Sequence, residues 1–220
     1  MNPQAPLPTT VAGPAGRLEI SAEGFEQPAV KGIAIVCHPH PLHGGTMNNK
    51  VVHFLSRSLN ELGFASLRFN FRGVGKSEGE FAEAIGETED LLAVIDWVQQ
   101  RFPSMPVWLA GFSFGAYVAL SAASQRNIER LITVAPAVHL YDVSSLTPPS
   151  CPWLLIQGDS DEIVPIDQVK AWVQRLEKRP RTVYLKGVGH FFHGKLTLLR
   201  DVVVGALEPA AKQLPYRRLD

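Results

Sequence analysis

Ser113 lies where a nucleophilic serine would be held. It is the centre of a Gly-x-Ser-x-Gly pattern, residues 111–115, between an apolar run typical of a strand and a run typical of a helix. A serine on such a sharp turn projects its hydroxyl, and the flanking glycines let strand and helix approach closely. The pattern predicts a nucleophile; the alternative is a tight turn with Ser113 as a helix cap.

A nucleophilic serine needs a base, and the base needs an acid that orients it. Asp159 and Asp161 follow an apolar run, and His190 and His193 follow the next strand-like segment. We predict Asp161 as the acid because it lies deeper in its loop, whereas Asp159 braces the turn. We predict His190 as the base because two glycines precede it, and His193 as a cap or surface residue. The order serine, aspartate, histidine fits loops that follow successive strands.

Backbone amides near Ser113 could stabilise negative charge on a substrate oxygen. The amide of Phe114 begins the predicted helix, where the helix dipole favours an anion. A second amide is predicted in the loop HPHPLHGGTMNNK, residues 38–50. Because proline has no N–H, His40 and Leu42 are the candidates, and the sequence does not choose between them.

Neither a metal ion nor another cofactor is predicted. His38, His40 and His43 are close in the chain, but a metal site would also need a carboxylate or a further ligand nearby. We therefore expect these histidines to form hydrogen bonds that stiffen their loop. The two cysteines, Cys37 and Cys151, are too sparse for a disulfide framework.

Strand-like and helix-like segments alternate along the chain. Such alternation predicts a mostly parallel sheet with helices on both faces, in which ligands gather at the carboxyl ends of the strands. Asn48 is the predicted cap of the first helix, which stops at Gly63. The predicted strands are 17–21, 32–37, 64–69, 107–110, 131–135, 153–157 and 182–185, and the later predicted helices are 88–101, 114–124, 166–176 and a last one from about 194.

The composition limits the classes of function. A chain of 220 residues fits a single domain, which we place at residues 17–220 after a flexible arm, residues 1–16, rich in proline and small residues. Twenty-one basic and 21 acidic residues leave no net charge to attract a nucleic acid. No apolar run is long enough for a membrane span, and the N-terminus lacks the features of a signal peptide. We expect a cytoplasmic protein; its oligomeric state is not predicted.

The sequence resembles the α/β-hydrolase superfamily over nearly all of residues 17–214. The motifs that carry the resemblance are HPHPLHGGTMNNK, FNFRGVGKSEG and GFSFG. They are similar to those of small bacterial members of the carboxylesterase or dienelactone-hydrolase kind. The resemblance implies a sheet of about eight strands below a cleft, with Arg72 and Ser77 bracing a loop beside the site. Many relatives insert a lid after the predicted strand 131–135, but here only a short run, residues 136–149, precedes the next strand, so no lid domain is expected.

The leading hypothesis is a serine hydrolase that cleaves an ester-like acyl bond of a small substrate through an acyl-enzyme intermediate. An open cleft would depend on aromatic side chains to exclude water, so the predicted substrate contacts are Phe112, Phe191, Phe192 and Tyr141. The same three residues would serve a peptidase, a thioesterase or a lactone hydrolase. A non-catalytic binding protein with this fold is the alternative from another class.

Overall fold

A sheet of eight strands forms the centre of the computed structural model, which describes residues 7–144 and 146–219. Its order is β1-β2-β4-β3-β5-β6-β7-β8. β2 is antiparallel to β1 and β4. The other six strands, β3 to β8, are parallel to one another. The predicted mostly parallel sheet is confirmed. The strands are β1 (Thr10–Gly13), β2 (Gly16–Glu23), β3 (Ile33–Cys37), β4 (Ala65–Phe69), β5 (Val107–Phe112), β6 (Arg130–Val134), β7 (Trp153–Gly158) and β8 (Arg181–Leu185).

Helices cover both faces of the sheet, which explains why β3, β4 and β5 are buried along their whole length. One face packs against α2 (Ile85–Arg101), α3 (Phe114–Ala123) and α4 (Ile166–Arg175). The other packs against α1 (Lys50–Glu61) and α5 (Leu196–Ala211). Two apolar layers therefore hold the sheet rigid, and the loops at its carboxyl edge stand on a fixed base.

The prediction that residues 1–16 form a flexible arm is wrong for the residues that form β1. Thr10–Gly13 pair with β2 from Thr10 opposite Glu19 to Gly13 opposite Gly16, and Val11 is buried in the core. The short segment TVAG is flanked by proline and glycine, which hid the strand in the sequence. Residues 1–6 of the predicted arm lie outside the described residues.

Two helix starts differ from their predictions. Asn49, not Asn48, caps α1: its side-chain oxygen accepts hydrogen bonds from Val51 N at 2.9 Å and Val52 N at 3.5 Å. α2 begins three residues earlier than predicted, at Ile85, after two residues with positive φ, Glu83 and Ala84. The end of α1 agrees with the prediction, because Gly63 follows it with φ 92°.

The connection between β6 and β7 is short and contains no helix or strand among its described residues. The absence of a lid domain, expected from the sequence, is therefore a property of this fold. In the described part of the chain, no helix has the length and apolar character needed to cross a membrane.

Candidate active site

Ser113 occupies a sharp turn between β5 and α3. Its backbone has φ 56° and ψ −117°, and its amide donates a hydrogen bond to Val134 O at 2.9 Å. A Cβ on Gly111 would lie 2.2 Å from Gly115 O, and a Cβ on Gly115 would lie 2.4 Å from His38 O. Both flanking positions therefore require glycine, as the sequence pattern indicated, and the close packing holds Ser113 in a backbone conformation that non-glycine residues rarely adopt.

Three side chains from three loops form a continuous chain of hydrogen bonds. His190 Nε2 lies 3.1 Å from Ser113 Oγ, and His190 Nδ1 lies 2.9 Å from Asp161 Oδ2 and 3.1 Å from Oδ1. The side chains of His190 and Asp161 are 3% and 1% exposed. An ionised Asp161 accepts the Nδ1–H of His190, which leaves Nε2 free to accept the Ser113 hydroxyl proton. The structure thus brings together the three residues predicted to act as nucleophile, base and acid.

Asp161 is held as an anion by several donors. Its Oδ1 accepts hydrogen bonds from Ile163 N at 2.9 Å and Val164 N at 2.7 Å, and its Oδ2 accepts one from Gln157 Nε2 at 2.9 Å. Burial raises the pKa of Asp161, but the hydrogen bonds from His190 and from the two amides outweigh it, so the pKa is lowered. The carboxylate is therefore ionised at neutral pH.

Gln157 is a contributor that the sequence reasoning missed. It is fully buried at the end of β7, and its Nε2 lies within hydrogen-bond distance of Asp161 Oδ2, Gly158 O and Val164 O. An amide at the end of an otherwise apolar strand, WLLIQG, was the available signal. Gln157 therefore holds the Asp161 carboxylate in place through this hydrogen bond.

Two further carboxylates hold the loop that carries His190. Asp159 Oδ1 accepts a hydrogen bond from Gly187 N at 2.7 Å, and Glu162 Oε2 accepts one from His190 N at 3.0 Å. Asp159 is therefore a brace, although it braces the neighbouring loop as well as its own turn. His193 is exposed and lies beside Phe191, with ring centroids 5.8 Å apart.

The two candidates for the second oxyanion donor differ in their surroundings. The amide of Leu42 donates to His40 Nδ1 at 3.2 Å, and the Leu42 residue is 69% exposed. Among the described residues, the amides of His40 and Phe114 have no hydrogen-bond acceptor. The His40 ring lies 5.0 Å from the Phe114 ring, so the two residues are neighbours at the cleft. This geometry favours His40 over Leu42.

The predicted aromatic contacts divide into core and cleft. Phe112 and Phe192 are 0% and 1% exposed and pack against each other, so the prediction that they contact substrate is wrong. Their role is packing: the Phe112 ring lies 5.0 Å from the His190 ring and supports it. Phe191 is 44% exposed, and Tyr141 is half-buried with its ring 5.6 Å from the Phe114 ring. These two side chains keep surface that a substrate could contact.

His38 joins two of the loops around the site. It is fully buried, with Nδ1 2.6 Å from Pro39 O and Nε2 accepting a hydrogen bond from Phe71 N at 3.1 Å. Burial is the main cause that lowers its pKa to about 4, so the ring is neutral at neutral pH. Its hydrogen bonds stiffen the loop, which agrees with the prediction.

The segment after β4 is held by a buried ion pair. Arg72 donates through Nε and Nη2 to Asp90, at 2.8 Å for the Nη2 bond, and the Asp90 side chain is fully buried. Ser77 Oγ donates to Asn70 O at 2.6 Å and accepts from Glu19 N at 2.9 Å. Arg72 and Ser77 are therefore structural, as the resemblance implied.

His139, in the loop after β6, was also missed. Burial is the main cause that lowers its pKa, and Asp161 and His190 are among the charged groups that act on it. Its Nδ1 is buried and has no hydrogen-bond partner among the described residues. No local sequence pattern connects this loop with the acid.

Comparisons with known proteins support the fold and a hydrolase family. Residues 33–151 match the family model described as serine aminopeptidase, S33. The sequence is 41% identical over 193 residues to an uncharacterized protein of Rickettsia prowazekii, an alignment that covers 83% of this chain and 81% of the relative.

Solved structures with the same architecture include two bacterial proteins with substantial sequence identity. An alpha-beta serine hydrolase homologue from Coxiella burnetii has a TM-score of 0.87 and 47% identity, covering 90% of this chain and 95% of its own. A serine hydrolase without lid from Xanthomonas campestris has a TM-score of 0.86 and 44% identity, covering 94% of both chains. Est1E from Butyrivibrio proteoclasticus, at 20% identity and a TM-score of 0.77, shares the fold.

The packing at the Ser113 turn predicts a contrast between two glycines. Gly115→Ala places a methyl group against backbone carbonyls and should destabilise the fold by about 2 kcal/mol or more. Gly205→Ala, in the middle of α5 with open space around it, should be neutral or stabilise by up to about 1 kcal/mol. Urea unfolding followed by circular dichroism measures both; equal effects would contradict the steric argument.

The buried His38 predicts a pH dependence of stability. Between its ordinary pKa of 6.5 and about 4, the unfolded chain binds a proton that the folded chain does not, so stability is lost as the pH falls. Lowering the pH from 7 to 5 should remove about 2 kcal/mol through this group. His38→Gln keeps a donor and an acceptor but does not titrate. Urea unfolding at both pH values should show a smaller decrease for the variant; identical decreases would exclude His38 as the cause.

Proposed function

Because this chain belongs to the α/β-hydrolase family represented by the serine aminopeptidase S33 model, we propose that it cleaves an ester-like acyl bond of a small substrate through an acyl-enzyme on Ser113. The observation that carries the proposal is the unbroken hydrogen-bonded chain from Ser113 Oγ through His190 to Asp161. The same three residue types in the same contact form the catalytic machinery of serine hydrolases on several unrelated folds.

The geometry supports a two-step reaction. Ser113 Oγ attacks the acyl carbon while His190 Nε2 accepts the hydroxyl proton, and Nε2 then gives that proton to the leaving oxygen as the carbon–oxygen bond breaks. Water attacks the acyl-enzyme in the second step: His190 accepts its proton and returns one to Ser113 Oγ as the acid product leaves. Asp161 stabilises the imidazolium that forms in each step.

Two backbone amides are proposed to bind the oxyanion. The amide of Phe114 is the first of α3, where the helix dipole adds to the hydrogen bond. The amide of His40 is the proposed second donor, because the Leu42 amide is already bound to His40 Nδ1. Each donor is worth about 3 kcal/mol of transition-state stabilisation.

The rim of the cleft favours a substrate with an apolar group. Four large apolar side chains are exposed within two residues of the site residues described above, and each follows a strand at the carboxyl edge of the sheet. They are Leu42, Leu140, Ile163 and Phe191. An acyl or leaving group that covers part of this rim gains roughly 25 cal/mol for each Å² of apolar surface removed from water.

An aminopeptidase is the second candidate function, and one residue favours it. Glu83 is exposed, has φ 52°, and acts electrostatically on His40 and Tyr141 at the mouth of the cleft. A carboxylate at this position would attract the free amino group of a peptide.

The proposed nucleophile is tested with a fluorophosphonate probe, which reacts covalently with activated serines. The wild-type protein should be labelled, and Ser113→Ala should abolish labelling. Ser124→Ala, which removes a surface hydroxyl at the end of α3, is the matched control and should be labelled like the wild type. His190→Ala should lower kcat for ester hydrolysis by about six orders of magnitude. An unlabelled wild-type protein would favour the non-catalytic binding protein instead.

A substrate panel separates the two candidate activities. Because the cleft has no cover, 4-nitrophenyl acetate and butyrate should show a kcat/KM about tenfold or more above that of the palmitate ester. Amino-acid 4-nitroanilides should be turned over slowly or not at all. Faster turnover of the anilides, together with a selective loss of that activity in Glu83→Gln, would establish the aminopeptidase in place of the esterase.

A further inference from the structure

A second cleft lies at the opposite edge of the sheet, at the amino ends of β6, β7 and β8. Its volume is about 250 Å³, and Arg130, Arg179 and Arg181 line it. Its apolar lining includes Trp153, Leu154 and Leu207, and no carboxylate is part of it. The cleft is about 16 Å from the Ser113 edge, the length of a five-residue strand.

The strand register explains why the arginines converge. Leu154 on β7 pairs with Ile132 on β6 and with Arg181 on β8. Because side chains alternate along a strand, Arg130, two residues before Ile132, projects from the same face of the sheet as Leu154 and Arg181. The two guanidinium groups therefore flank β7 from either side, and Arg179 extends the cluster from the preceding loop.

The guanidinium groups are oriented but lack anionic partners. Arg181 Nη1 donates to Ala206 O and Arg179 Nη2 donates to Gln174 O, each at 3.0 Å, and these bonds leave their other nitrogens available. Arg130 lies over the Trp108 ring, 5.2 Å from its centre, and its buried Nε has no acceptor among the described residues. By contrast, ion pairs bind the guanidinium groups of Arg17, Arg68, Arg72, Arg126 and Arg200.

No carboxylate among the described residues forms an ion pair with Arg130. Glu129 acts on it electrostatically but is exposed and does not line the cleft, and no carboxylate of the described residues lies within ion-pair distance of the three arginines. Burial lowers the pKa of Arg130, which is the cost of holding a cation beside apolar side chains. A bound anion would remove that cost.

We propose that this cleft binds a phosphate dianion, either inorganic phosphate or the phosphate of a small monoester. Planar guanidinium groups match phosphate oxygens in pairs, and three of them supply more positive charge than a single carboxylate requires. The volume is below the roughly 300–1,000 Å³ of pockets for larger ligands, which selects a small anion. The site does not depend on the proposed hydrolase activity.

The proposal is tested by isothermal titration calorimetry with sodium phosphate and with glycerol 3-phosphate, each at constant ionic strength maintained with sodium chloride. The wild-type protein should bind at least one of them at a single saturable site. Arg181→Gln and Arg179→Gln, both substitutions of exposed residues, should weaken binding about tenfold each. Binding of glycerol 3-phosphate alone identifies a phosphate ester as the ligand, and binding of both identifies the phosphate group itself.

The matched control is Arg57→Gln, which removes one exposed positive charge at a different cleft, where Glu23 and Glu61 also lie. It should bind phosphate like the wild type, and turnover of 4-nitrophenyl butyrate should be unchanged in Arg179→Gln and Arg181→Gln. Absence of saturable binding by both probes, or an equal loss in Arg57→Gln, would overturn the proposal.

Discussion

The positive φ of Ser113 is the constraint on which the geometry of the site depends. A non-glycine residue in this conformation costs about 1–3 kcal/mol, so its surroundings must impose it. Strand β5 and helix α3 do so by approaching closely at Gly111 and Gly115, which leave no space for a Cβ. One turn thereby sets the direction of the Ser113 hydroxyl and exposes the Phe114 amide at the start of α3. The remaining residues of the site only have to reach this fixed point.

They reach it through hydrogen bonds between loops. Three acidic residues of the loop after β7 have separate tasks: Asp159 holds Gly187, Asp161 holds the His190 ring, and Glu162 holds the His190 amide. The loop that carries the histidine is therefore positioned almost entirely by its neighbour. Because β7 and β8 are adjacent and parallel, the two loops begin side by side. The sheet therefore brings the two loops close together, and the carboxylates orient the His190 loop and its ring.

Local patterns in the sequence predict most of the strands and helices and the three side chains at the centre of the site. The Ser113 turn was predictable because a glycine two residues away on either side of a serine marks it directly. Gln157 was not, because its importance comes from a hydrogen bond with Asp161, which no local pattern records. The same reason explains β1, a four-residue strand that exists through its pairing with β2. Phe112 and Phe192 were predicted to line the cleft because a sequence does not show which aromatic side chains are buried in the core.

The short connection between β6 and β7 has a chemical consequence for the proposed reaction. An acyl group on Ser113 would remain open to the bulk solution throughout its lifetime, since no lid domain is formed by the residues that the structure describes. Alcohols and amines present at sufficient concentration would then compete with water for that acyl group. The same geometry that permits hydrolysis would permit acyl transfer, and the solvent composition, rather than a moving cover, would set the ratio of the two products.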